Sequence, residues 1–188
     1  MIMISDELFA SFRDTGRDLF LTGAVSSHGG NMSVRIGDRI LITRSGSMLG
    51  RLTRKDVLET GIDACAEDKG CSRELVVHRA IYQATDAHAV VHAHTVHTVH
   101  RSLVSEAIVP LDSESKAIIG DVPIVSAEQT IASPEAAGVL SAALREKKIA
   151  VLRTHGPFSR GATLEEAFYH VSCLEASAKL LDLAEACR

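Results

Sequence analysis

The stretch "VVHAHTVHTVH", residues 90–100, carries four of the chain's nine histidines. Neutral imidazoles are the commonest side-chain ligands of protein-bound metals, so the first chemistry to weigh is a held divalent cation. If the apolar run before them is extended, His92 and His94 project from one face while Ala93 points to the other. Two rings at that spacing can share one ion. A zinc that does chemistry takes three protein ligands and keeps one position open. His155, in "RTHGPF" at the end of another apolar run, offers the third. A lone ring of this kind reads as a satisfied polar residue of a half-buried strand, but the H-x-H pair with a strand-terminal histidine favours the metal. His97 and His100 follow at helical spacing and point elsewhere. They, with His28, His78, His88 and His170, read as packing or surface residues, although His28 lies in a glycine-rich loop.

Three short stretches have the make-up of anion sites. Gly29-Gly30-Asn31 leads into a strand-like run, and Ser45-Gly46-Ser47 follows the next one. Backbone N–H groups in such turns can form nests for anions, and Asn and Ser side chains add donors; the same residues are also plain turn formers. Ser72-Arg73 opens an expected helix, where free N–H groups and the helix dipole favour an anion, and the guanidinium matches phosphate or carboxylate. Glu74 follows at once. Alone it is an ordinary first-turn acid. It becomes a candidate acid/base only if the three anion-binding stretches and the histidines converge on it.

The elements that must position these groups are partly readable. Residues 5–23 have helical spacing of apolar residues, "MSVRI" and "RILIT" flank a Gly37-Asp38 turn as a hairpin, and "DVLETGID" reads as a further strand. A helix is expected over 73–85, a strand at "AVVHAHT", and helix-like spacing resumes at "TVHRSLVSE". Residues 107–125 read as short extended runs split by Pro110, Gly120 and Pro123. Ser133-Pro134 is an N-cap and N1 pair opening a helix to about Glu146. "IAVLRTHG" reads as a strand ending in a polar turn, and Thr163 with Glu166 reads as a capping box before a last helix. Mixed strands and helices without a strict βαβ rhythm imply a layered α/β domain with a mixed sheet, one domain over 1–188.

Bulk composition bounds the function. The 188 residues are 46% hydrophobic and 23% charged, with a formal net charge of −4 and no run of Lys and Arg. That argues against a nucleic-acid partner, which requires a basic face. Cys65, Cys71, Cys173 and Cys187 form no CxxC pair and read as reduced thiols of a cytoplasmic protein. No stretch has the apolar length of a membrane span, and the N-terminus has no signal-peptide pattern.

"GGNMSVR", "ITRSG", "SREL", "VVHAHTVH" and "RTHG" occur in the order and spacing of the class II aldolase/adducin family. The chain resembles it from about residue 5 to about 185, most of all in its fuculose phosphate aldolase branch. The resemblance implies one α/β domain, a three-layer arrangement with a central mixed β-sheet flanked by helices, assembled as a cyclic homotetramer with active sites between subunits. It places zinc on His92, His94 and His155, with Glu74 both approaching the metal in the resting enzyme and acting as the catalytic acid/base. It places the substrate phosphate on Gly30, Asn31, Ser45, Gly46 and Ser72, with Arg73 alongside. Manganese or cobalt would also suit imidazole ligands. Related epimerases carry Asp at the position of Glu74.

The implied reaction is reversible cleavage of a small ketose phosphate, of the fuculose 1-phosphate kind, to dihydroxyacetone phosphate and an aldehyde such as lactaldehyde. The carbanion left by C3–C4 cleavage would be held as an enediolate by the metal. Two departures stand out. The branch usually has a second Ser where this chain has Arg73, and its aldehyde-side tyrosine falls in a segment matching residues 110–130, where this chain has none. The alternatives are a metal-dependent decarboxylase of a 3-oxo sugar-acid phosphate, a methylthioribulose-phosphate-type dehydratase, and a non-enzymatic adducin-like assembly module.

Overall fold

Side-chain alternation along the strands divides the apolar residues between two cores, and this decides the layering. In the computed structural model, which describes residues 4–187, β4 (Ala89–His92) sends Val91 into one core and Val90 into the other. β7 (Ile149–Leu152) divides Ile149 and Val151 from Ala150 and Leu152 in the same way. Both strands are buried at every residue, so helices must cover both faces of the sheet. The first core is closed by Phe12 and Leu19 of α1 (Asp6–Leu21) and by Val171 and Leu174 of α6 (Leu164–Ala186). The second is closed by Val77 and Ile81 of α2 (Leu75–Ala84) and by Leu140 and Leu144 of α5 (Pro134–Leu144). Each such side chain, fully withdrawn from water, contributes about 1.5–3 kcal/mol before the entropy of ordering is subtracted.

The remaining strands are β1 (Asn31–Ile36), β2 (Arg39–Thr43), β3 (Val57–Gly61), β5 (Ala107–Ile108), β6 (Val122–Val125) and β8 (Gly156–Gly161). The sheet has eight strands in the order β3-β2-β1-β4-β8-β7-β6-β5, antiparallel throughout except for the parallel β6–β7 pair. It is the expected mixed sheet flanked by helices. The order matters for function. It puts the end of β4 beside β1 on one side and β8 on the other, with Asn31 paired to His92 and His92 to Phe158.

Most local readings hold. Ser5 caps α1 by accepting from Leu8 N at 3.1 Å, and Ser133 caps α5 by accepting from Ala136 N at 2.9 Å with Pro134 next. Two elements differ. Residues 107–125 are not extended throughout: α4 (Ser113–Ile118) forms there, because Asp112 accepts from Ser115 N at 2.7 Å and nucleates a turn. β8 is a strand that "GPFSRG" does not suggest. Ladders from β4 and β7 on either side hold it despite Gly156 and Pro157. Two smaller details also shift. At α6 only half of the capping box forms: Thr163 accepts from Glu166 N, while the Glu166 carboxylate turns to Ala162 N. The expected helix over 73–85 starts two residues late, leaving Glu74 as the N-cap of α2.

Candidate metal centre

Three imidazoles from separate parts of the chain meet at the carboxyl end of β4. His92 is its last residue, His94 lies two residues beyond, and His155 sits in the turn between β7 and β8. His92 Nε2 is 2.9 Å from His94 Nε2 and 3.2 Å from His155 Nε2. One ligand atom from each ring lies within 4.8 Å of the others. The backbone is bent to achieve this. Thr154 adopts a φ of 67°, and Gly156 a φ of 142° at a point where a Cβ would lie 2.3 Å from Ala93 O. Only glycine lets the turn carrying His155 come that close to the chain carrying His94.

The tautomers follow from the partners behind the rings. His92 Nδ1 is 2.9 Å from Pro157 O, and His155 Nδ1 is 2.8 Å from Thr130 O. A carbonyl can only accept, so both Nδ1 atoms carry the hydrogen and both Nε2 atoms present lone pairs. Those lone pairs face each other at 3.2 Å, an arrangement a cation between them makes favourable. Tetrahedral nitrogen ligands at a usual zinc distance stand roughly 3.3–3.4 Å apart, close to what is seen. Burial pushes all three imidazoles toward the neutral form: His92 well below the usual value, His94 to about 4, and His155 in the same direction. Neutral rings are the form that binds metal. The donor set therefore fits a divalent cation such as zinc, with the carbonyls of Pro157 and Thr130 orienting the ligands.

The cluster forms the floor of a cleft of about 320 Å³. Gly30, Asn31, Ser45, Gly46, Ser72, Arg73 and Glu74 all line it, so the structure brings together every residue singled out from the sequence. Glu74 is 5% exposed. Its Oε1 accepts from Ala132 N at 3.0 Å, while Oε2 is buried with no hydrogen-bond partner among the described residues. Burial raises its carboxyl above the ordinary range, against the opposing pull of the Ala132 amide and Arg73. Glu74 shares the cleft but stands outside the tight three-imidazole set.

The anion-facing wall differs from the nest of backbone amides expected from the sequence. The amides of Ser45, Ser47 and Ser72 are already used by the carbonyls of Gly70, Arg44 and Thr43. Ser47 Oγ donates to Arg44 O at 2.8 Å, so the donors left to the cleft are the Ser45 and Ser72 hydroxyls, the Asn31 side chain, the amides of Gly46 and Arg73, and the exposed Arg73 guanidinium. The Gly30 position is forced. With a φ of +74°, a Cβ there would lie 2.6 Å from Val25 Cγ1 and 2.7 Å from His92 O.

Some residues not singled out from the sequence belong to this region. His28 and Arg44 line the cleft. His78 is fully buried behind it, with Nε2 2.6 Å from Asn31 Oδ1. A signal for His78 was present: it stands four residues after Glu74, and Tyr82 four after that, on one side of α2. His97 and His100 do not reach the cleft and pair with Asp182 instead. Tyr82 is in the core and Tyr169 pairs with Glu114 on the surface, so neither tyrosine lines the site.

Residues 10–181 match the family described as Class II Aldolase and Adducin N-terminal domain. An L-fuculose phosphate aldolase of Methanocaldococcus jannaschii is 30% identical over 169 residues, covering 87% of this chain and 90% of that one. A 3-oxo-tetronate 4-phosphate decarboxylase of Haemophilus influenzae is 32% identical over 174 residues, covering 88% of this chain and 82% of that one. The crystal structure of an L-fuculose-1-phosphate aldolase from Thermus thermophilus superposes with a TM-score of 0.94 at 38% identity, over 97% of this chain and 96% of that one.

Proposed function

The chain belongs to the class II aldolase and adducin family, as a lyase of the metal-dependent class, and on that footing we propose a zinc-dependent aldolase that reversibly cleaves a small ketose phosphate. The products are dihydroxyacetone phosphate and an aldehyde such as lactaldehyde, as for fuculose 1-phosphate. One observation carries the reading. Three Nε2 atoms converge in a cleft that also holds a buried carboxylate oxygen without a hydrogen-bond partner among the described residues and a wall of hydroxyl, amide and guanidinium donors. Zinc, or manganese or cobalt in its place, supplies Lewis acidity to the substrate's carbonyl and adjacent hydroxyl oxygens.

The protein's own groups do the rest. Asn31, Ser45, Gly46, Ser72 and Arg73, with Gly30 allowing close approach, hold the phosphate away from the reacting bond and orient C3. In the condensing direction Glu74 takes the C3 proton of dihydroxyacetone phosphate; in cleavage it returns that proton to the same carbon. Its raised pKa brings the carboxylate nearer the strength a base needs at neutral pH.

The family resemblance implies a homotetramer with the cleft between subunits; a neighbouring copy has no tyrosine at 110–130 either, so a group other than tyrosine completes the aldehyde side. Exposed apolar side chains on α3 (Val96–Val104) and after it, among them Val96, Leu103, Val104, Val109 and Leu111, suit such contacts. Free cysteines suit a reducing compartment, and we place the enzyme in the cytoplasm.

A second reading, decarboxylation of a 3-oxo sugar-acid phosphate, is favoured by Arg73, an exposed guanidinium in the cleft with no hydrogen-bond partner among the described residues. The two separate in one assay. Zinc-loaded protein is incubated with dihydroxyacetone phosphate and a panel of aldehydes, and in parallel with 3-oxo sugar-acid phosphates. New carbon–carbon bonds support the aldolase. Released carbon dioxide without them replaces it by the decarboxylase.

A further inference from the structure

A buried chain of hydrogen bonds runs from the second core to the cleft. Tyr82 Oη is 2.7 Å from Ser33 Oγ, Ser33 Oγ is 2.6 Å from His78 Nδ1, and His78 Nε2 is 2.6 Å from Asn31 Oδ1. Tyr82, Ser33 and His78 are each 1% exposed or less. Two members come from β1 and two from α2, so the chain also ties the helix that begins at Glu74 to the strand that begins at Asn31.

Its direction is determined by what each end can do. Asn31 Oδ1 only accepts, so His78 Nε2 carries the hydrogen. In a neutral ring Nδ1 must then accept, and the Ser33 hydroxyl donates to it. That leaves Ser33 Oγ to accept from the Tyr82 hydroxyl. The reverse direction would put the Asn31 NH2 group against His78 and leave the Tyr82 hydroxyl hydrogen without an acceptor among the described residues, since the phenol's other hydrogen-bond partner there is the Val90 amide, itself a donor. Separately, burial pushes His78 down to about 3, so the ring stays neutral at ordinary pH.

We propose that His78 is a positioning residue: through the one-way chain Tyr82, Ser33, His78, Asn31 it locks the Asn31 amide with Oδ1 turned inward and Nδ2 presented to the cleft as an obligatory donor to an anion. Asn31 Nδ2 has no partner among the described residues and is not among the sealed-off polar atoms, which leaves it available. That the anion is a substrate phosphate rests on the function proposed above; the direction of the chain does not.

Two measurements test it. ¹⁵N NMR of the zinc-loaded wild type should show His78 as the neutral Nε2–H tautomer throughout roughly pH 6–8. An Nδ1–H tautomer would overturn the proposal. Calorimetric titration with inorganic phosphate should show affinity reduced roughly tenfold in His78→Leu, the scale of one hydrogen bond to a charged group, with zinc content unchanged. His78→Gln, whose amide can still donate to Asn31, should recover most of the loss. Ser33→Ala, a smaller change expected to fold, should weaken phosphate binding in the same sense and release the fixed tautomer. If these variants lose only thermal stability while phosphate affinity holds, His78 is a packing residue and the proposal is wrong. A wild type that binds zinc but no phosphate would overturn the ligand assigned to Asn31 together with the sugar-phosphate reading. The tautomer would still judge the chain's direction.

Discussion

Two histidine pairs lie within nine residues of each other and are used in opposite ways. His92 and His94, joined by His155, have carbonyls behind two of the three rings and their Nε2 atoms meeting in front. His97 and His100, one turn into α3, each place Nδ1 on a single carboxylate, Asp182 of α6, at 2.6 Å and 3.0 Å. Arg101 Nε lies 2.8 Å from the same carboxylate, and Glu175 caps the start of α3 through the amides of His97 and Thr98. Burial alone would raise the Asp182 carboxyl, but the donors around it hold it below its usual range. A histidine-rich stretch is thus not one thing. A carbonyl behind the ring fixes a neutral ligand, whereas a carboxylate against it makes a structural tie between helices.

The largest effect that could break this contrast is loss of a ligand. His155→Ala should strip the metal, seen by elemental analysis, and lower turnover by roughly a thousandfold or more, since Lewis-acid stabilisation is worth several kcal/mol. His100→Ala should keep the metal. If the two behave alike, the division between the pairs is mistaken.

Next in size, Glu74→Gln should retain metal and phosphate binding yet lower exchange of the C3 proton of dihydroxyacetone phosphate by about 10²–10⁴-fold, followed by deuterium incorporation. Persistent exchange would move the base elsewhere.

Asp182→Asn addresses the other region. It should cost about 1–3 kcal/mol in denaturant unfolding, because Arg101 is buried against it, and should leave metal content untouched.

The smallest effect is on pH dependence. The unfolded His78 imidazole titrates near 6.5 and the folded one near 3, so between those values the unfolded chain binds a proton that the folded chain refuses. Stability should therefore fall as pH drops from about 6.5, by at most ~1.4 kcal/mol per pH unit for this group, and His78→Gln should flatten that slope. The depressed Asp182 carboxyl acts in the same sense but only below about pH 4, where it begins to protonate in the unfolded chain. Asp182→Asn should leave the slope near pH 5 unchanged.

How far the sequence could be read depended on distance along the chain. Helix starts at Ser5 and Ser133 were legible because a cap and its partner amide lie three residues apart. The hairpin of β1 and β2 was legible from its turn. β8 was not, because its strand character comes from two neighbours distant in sequence and overrides Gly156 and Pro157. α4 was missed because a one-turn helix capped by Asp112 is too short to show a periodic pattern. His78 reads from the sequence only as a packing or surface residue; that it is buried, with its partner on β1, is invisible from α2 alone.

By itself the sequence determined which side chains were on hand for metal and anion chemistry, and that His92 and His94 leave the backbone in the same direction, since a two-residue period settles direction within a strand. Only the tertiary structure decided that His155, 63 residues after His92, completes the set, and that Pro157 and Thr130 turn the lone pairs inward. Direction along an element is a local steric property. Convergence in space depends on strand order, which is settled only when distant segments bury their apolar faces together.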